Sequence, residues 1–104
     1  MKNRVWLSYD LSVDGDYENL YNWLDSKNAK ECGDSIAVFF YEYKNDLFEE
    51  ILSDLKSSVD FRKNDRIYVL AIFSDNKYSG KFIIGKRKSA PWIGYAGSED
   101  EIDE

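Results

Sequence analysis

The chain has 104 residues and a formal charge of −6, from 14 Lys and Arg against 20 Asp and Glu, with no histidine and a single cysteine, Cys32. This length is one domain able to bury a core, and 43% hydrophobic with 16% aromatic residues excludes a disordered chain. The missing histidine and lone cysteine exclude an internal disulfide, a Cys/His zinc site within one protomer and histidine acid–base catalysis. No N-terminal stretch reads as a signal region, and no window approaches the roughly 20 apolar residues of a membrane span, which points to a cytoplasmic protein with no membrane partner.

The charge is unevenly placed. Glu99, Asp100, Glu101, Asp103 and Glu104 fall in the last six residues, so the remaining body holds 15 acids against 14 bases and is nearly neutral. Residues 1–98 read as one domain and 99–104 as a flexible acidic tail. The tail has two readings by charge alone: it folds back on nearby lysines, or it mimics a nucleic-acid backbone toward a basic protein.

In chain order, Val5–Asp10 reads as a central strand, with Val5, Leu7 and Tyr9 on one face and Trp6, Ser8 and Asp10 on the other. Asp14-Gly15-Asp16 breaks it and offers a cap to a helix whose stripe is Tyr17, Leu20, Tyr21 and Leu24. Gly33-Asp34 predicts a tight hairpin between a short Ala29–Cys32 strand and a long Ser35–Tyr43 strand. Ile36, Val38 and Phe40 alternate there with Ala37, Phe39, Tyr41 and Tyr43. Asp46 and Glu49 have capping-box spacing ahead of a second helix, with Phe48, Ile51, Leu52, Leu55 and Val59 inward. Asp60–Asp65 reads as a polar loop, Arg66–Phe73 as a strand apolar on both faces, Ser74–Gly80 as a turn and Lys81–Lys86 as a last, edge strand. Pro91 stops regular pairing before Trp92 and Tyr95.

The order predicts an α+β, ferredoxin-like β-α-β-β-α-β domain with an extra C-terminal strand, its antiparallel sheet carrying both helices on one face. The other face keeps part of the aromatic set, so an uncovered apolar surface predicts a partner, most simply a second copy in a homodimer.

Three candidate sites emerge. Asp10 is a carboxylate at a strand end, where nearby turn amides would bind it. Asp14 and Asp16 read first as helix caps and second as outer ligands near Asp10. Lys77, Lys81, Lys86, Arg87 and Lys88 gather in the sequence with Tyr78, Trp92 and Tyr95, which offers cations to phosphates and aromatic faces to unpaired bases. Lysine protection of a sheet edge, with Trp92 folded back, explains the same residues without a ligand.

Val5-Trp6-Leu7-Ser8-Tyr9-Asp10-Leu11 resembles the opening strand and terminal acid of the smallest core subunit family of the CRISPR adaptation complex. Gly33-Asp34-Ser35-Ile36-Ala37-Val38-Phe39 resembles that family's glycine turn into its next strand, and Asp65-Arg66-Ile67-Tyr68-Val69-Leu70 its strand after the second helix. Virulence-associated protein D, a toxin ribonuclease, is similar in layout. The resemblance covers Val5 to Phe73. It implies a ferredoxin-like homodimer with the following strand at or across the interface. It also implies Asp10 as the catalytic residue, binding a divalent metal such as Mg²⁺ with its mate across the two-fold axis and supporting phosphodiester hydrolysis as an endonuclease of RNA or DNA. Such a metal takes oxygen ligands, activates water and offsets phosphate charge. The chain departs from the family pattern after the first strand, where Asp14, Asp16 and Glu18 stand in place of bases and would repel phosphate. A second function class therefore stands beside the first: a non-catalytic dimeric module whose partner is a protein, met through Trp92–Tyr95 or the acidic tail.

Overall fold

The computed structural model describes residues 1–97; the acidic tail, 99–104, lies outside them. The elements run β1 (Lys2–Asp10), α1 (Tyr17–Ser26), β2 (Lys30–Glu31), β3 (Ile36–Glu42), α2 (Leu47–Ser58), β4 (Arg66–Ile72) and β5 (Tyr78–Ile84). One sheet in the order β2-β3-β1-β4-β5 joins the five strands, every neighbouring pair antiparallel. The first four strands thus form two split βαβ units around β1, with β5 added beyond β4, as the element order predicts. Among the described residues no helix is long and apolar enough to cross a membrane.

Period-2 alternation sorts the strands into two faces. Val5, Leu7, Ala37, Phe39, Tyr41, Ile67, Val69 and Ala71 are buried together with Leu20, Trp23 and Leu24 of α1 and Leu47, Phe48, Ile51 and Leu55 of α2. Both helices therefore cover the same face. Removing this much aliphatic and aromatic surface from water is the main favourable contribution to folding.

The caps follow from local hydrogen bonding. Asp16 is the N-cap of α1; its carboxylate accepts from the Asn19 N–H at 3.3 Å and also from the Asp60 N–H at 2.9 Å, tying the loop after α2 to the start of α1. These donors, that of Asp60 foremost, hold the Asp16 carboxyl below its usual range. Asp46 caps α2 through the Glu49 N–H, but the reciprocal acid is Glu50, not Glu49. Glu50 accepts from the backbone N–H groups of Lys44, Asn45 and Asp46, because the chain turns back over the helix start and brings three donors to one carboxylate.

Four sequence expectations are corrected in detail. In α1 the buried third residue is Trp23, while Tyr21 is half-exposed and packs edge-on against Tyr9 at the rim. Trp23 lies against Phe39 of β3, a neighbour that helical periodicity alone does not identify. In α2, Leu47 is buried and Leu52 only partly so. The last strand begins at Tyr78, inside the expected turn. It opens with Ile72 opposite Tyr78 and includes Gly80 opposite Leu70, where a Cβ would meet the Tyr68 hydroxyl at 2.5 Å. Finally, the polar loop over 60–65 does not end in an exposed residue: Asp65 is almost fully buried. Its two carboxylate oxygens accept from the Ser12 and Arg62 N–H groups, each at 2.7 Å. Burial alone would push this carboxyl up; the two amides outweigh it and hold it below the usual carboxylate range.

Candidate nucleic-acid interface

The basic segment after β5 is held against the start of β4 by one glycine. Gly85 has φ +76°, and a Cβ there would meet the Asp65 carbonyl oxygen at 2.6 Å and the Arg66 Cγ at 2.8 Å. Only glycine lets the chain turn so close to the neighbouring backbone. A β-bulge just before it, where Ile67 faces Ile84 and Tyr68 faces Phe82, leaves Ile83 as the extra residue and bends the strand's exit. The result is a depression of about 530 Å³ whose cationic lining is Lys63, Arg66, Lys86, Arg87 and Lys88. Arg66 and Arg87 both lie over the Phe82 ring, at 5.5 and 5.6 Å from its centroid, which gathers the two guanidinium groups about one aromatic side chain.

Asp10 is tied to this depression through Arg66. It is directly opposite Arg66 across the β1–β4 ladder, and Arg66 donates to its Oδ2 from Nη2 at 2.7 Å and from Nε at 3.2 Å. Its side chain remains about half open to solvent, at 55%. The strand-end carboxylate is thus bound by a cation, not by turn amides. Of the described residues, no group of three or more Asp, Glu, His or Cys is placed to hold a metal ion. Asp10 is already paired with Arg66, and Asp16 is engaged as a helix cap.

The sequence cluster of bases divides. Lys86, Arg87 and Lys88 come together, joined by Lys63 and Arg66. Lys77 sits at the other end of β5, beside Asp75 at 4.0 Å; the strand's seven residues put about 20 Å between the two ends. Lys81 faces the helices, its ammonium 4.9 Å from the Phe48 ring centroid. Trp92 is in a turn after Pro91, 71% exposed, and is not folded back on the sheet; Tyr95 is more exposed still. Reading the basic run alone misses Lys63 and Arg66. The signal that finds Arg66 is the strand pairing: an Arg opening one strand opposite an Asp ending its antiparallel neighbour.

The open face of the sheet lies next to this depression. Trp6, Ser8, Ile36, Tyr68, Leu70 and Ile72 line a shallow groove of about 350 Å³ in its middle. Ile36 and Ile72 are exposed, and Tyr68 meets Phe82 edge-on at 4.9 Å between centroids. Comparison with protein-family models, curated proteins and solved structures finds no match to this chain.

Proposed function

We propose that this protein binds nucleic acid as a homodimer, the apolar middle of the open face pairing two copies and the Lys63–Arg66–Lys86–Arg87–Lys88 depression contacting phosphates. The basic depression carries the reading. Five cations line it with one acid, the buried Asp65, and Asp10 reaches it only through its pair with Arg66, on a chain whose net charge is negative. Lys63, Lys86, Arg87 and Lys88 form no ion pair among the described residues. Clustered cations of this kind attract a polyanion and release its counterions on binding. The groove lined by Trp6, Ile36, Tyr68, Leu70 and Ile72 supports self-pairing, since an apolar face of this kind is covered in most soluble proteins.

The test is nucleic-acid affinity against salt. The wild-type chain is expected to bind a labelled oligonucleotide with an affinity that falls steeply as salt rises. The triple charge reversal Lys86→Glu, Arg87→Glu, Lys88→Glu is expected to weaken binding tenfold or more and to flatten the salt slope. Unchanged affinity in that variant rejects the reading in favour of the protein-partner module.

A second reading, Mg²⁺-dependent cleavage, draws on the half-open Asp10 carboxylate beside the basic depression. It requires Asp10 from both copies, because one protomer supplies a single carboxylate. Binding without turnover predicts that EDTA leaves affinity unchanged and that Asp10→Asn binds at least as well as wild type. Cleavage predicts products that require the metal and vanish in Asp10→Asn while the dimer survives.

A further inference from the structure

At the opposite end of the open face lies a second recess, of about 480 Å³, where β1 and β3 meet β2 and the exit of α1. Strand pairing assembles it. Arg4 stands directly opposite Phe40 and Lys30 opposite Val38, so Lys2, Arg4, Trp6, Lys30 and Phe40 all present to this face. The Arg4 guanidinium is 4.9 Å and the Lys2 ammonium 5.7 Å from the Phe40 ring centroid, while the ring itself stays 51% exposed.

The charges around it are lopsided. Lys27, at the rim, is paired with Asp54 at 3.3 Å. Lys2, Arg4 and Lys30 form no ion pair among the described residues. Glu42 stands opposite Lys2 at the outer end of the ladder. Glu31 pairs in register with Ala37 of the helix-covered face, and its carboxylate accepts from the Gly33 N–H. Three cations and an open aromatic ring thus face one acid. Two copies of the chain meeting here would bring like charges together, which argues against this end of the face as the centre of a dimer.

We infer that this recess binds single-stranded nucleic acid, with an unpaired base stacked on Phe40 beside Trp6 and its flanking phosphates held by Arg4, Lys2 and Lys30. This inference rests on the nucleic-acid reading above and adds to it a substrate class and a second contact point. Every base has a π face, so stacking on Phe40 needs no particular sequence, whereas a duplex hides those faces inside its own stack.

The experiment measures affinity by fluorescence anisotropy for oligouridine, oligothymidine and a duplex of equal length. Wild type binds the single strands more tightly than the duplex. Phe40→Ala weakens single-strand binding about tenfold and leaves duplex binding unchanged, Phe40→Tyr keeps it, and Arg4→Glu weakens it by a similar factor. A 4-thiouridine-bearing strand crosslinks to the peptides carrying Trp6 or Phe40. If Phe40→Ala and Arg4→Glu match wild type while the Lys86–Lys88 reversal loses binding, this recess is off the path and the inference falls, with the proposed function standing. A preference for duplex overturns it as well. So does displacement by polyglutamate that is as strong in Phe40→Ala as in wild type, which marks a general polyanion patch. Failure of wild type to bind any of the three probes removes both readings.

Discussion

The two faces of the one sheet differ in a way that hydrophobicity alone does not capture. Both are apolar along β1, β3 and β4. On the covered face the strand residues are Val5, Leu7, Ala37, Phe39, Ile67, Val69 and Ala71, with no charge among them. On the open face Lys2, Arg4 and Asp10 of β1 and Arg66 of β4 interrupt the apolar run at both ends, while Trp6, Val38, Tyr68 and Leu70 hold the middle. A face destined for a protein core excludes unpaired charge because desolvating it is costly. A face that keeps cations beside aromatic rings remains useful in water, where those cations attract anions and the rings offer stacking.

The sharpest way to break this comparison is the same substitution on each face of one strand. Ile67 is fully buried under the helices, and Ile72, five residues on, is exposed. Ile67→Ala is expected to cost about 3 kcal/mol, as a cavity forms that the packed helices cannot close. Ile72→Ala is expected to cost less than about 1 kcal/mol in the monomer, measured by urea denaturation at low protein concentration. If Ile72 pairs with a second copy, its cost grows as concentration rises, and the dimer seen by light scattering weakens in the variant. Equal costs at low concentration would mean that something already covers the open face.

Asp65 sharpens the comparison from the polar side. Asp65→Ala is expected to cost about 2–3 kcal/mol, because two backbone N–H groups lose a charged acceptor in a buried site. The sign of its pH dependence follows from its lowered carboxyl. The stabilisation is complete above the unfolded value of about 3.9 and is lost as pH falls through the lower folded value. Wild type and Asp65→Asn should therefore converge in stability as the pH drops below about 4. A difference that stays constant down to acid pH would show that the ionised form is not what matters. The anchor also bears on the site: Asp65 holds the loop from which Lys63 and Arg66 reach the basic depression, so Asp65→Ala is expected to weaken nucleic-acid binding along with the fold.

Much of the framework was legible because it obeys short periods. β1, β3 and β4 alternate without interruption, and the Gly33 turn and the caps at Asp16 and Asp46 carry their usual chemistry. What stayed hidden depends on contacts between elements. Trp23 rather than Tyr21 fills the third core position of α1 because β3 presents Phe39 and Tyr41 there, which no helical stripe reveals. The bases were legible as a run at Lys86–Lys88, but their union with Lys63 and Arg66 arises from the bulge at Ile83 and the close approach at Gly85. Nearness in sequence groups Lys77 and Lys81 with them, which a strand converts into distance and opposite faces. The Lys2–Arg4–Lys30–Phe40 recess is hidden in the sequence because its members come from three strands, two cations from β1, one from β2 and only the ring from β3.

The smallest effect belongs to Trp23 of α1, whose buried ring nitrogen has an unmet polar demand among the described residues. Tyr41, its neighbour, shares its one hydroxyl proton between the Glu50 carbonyl at 3.1 Å and the Asp54 carboxylate at 3.2 Å. The Trp23 Nε1 is buried and has no hydrogen-bond partner among the described residues. Its ring earns its place by packing edge-on to Phe39 at 5.5 Å and under the Lys27 ammonium at 5.3 Å. Trp23→Phe removes the orphaned N–H, worth about 1–3 kcal/mol of penalty, and gives up part of the indole's contact area, so the two changes nearly cancel. The expected change in stability is within about 1 kcal/mol, well below that of Ile67→Ala. A loss as large as that of Ile67→Ala would mean that a water molecule satisfies Nε1 in solution, and that the covered face is less dry than its packing indicates.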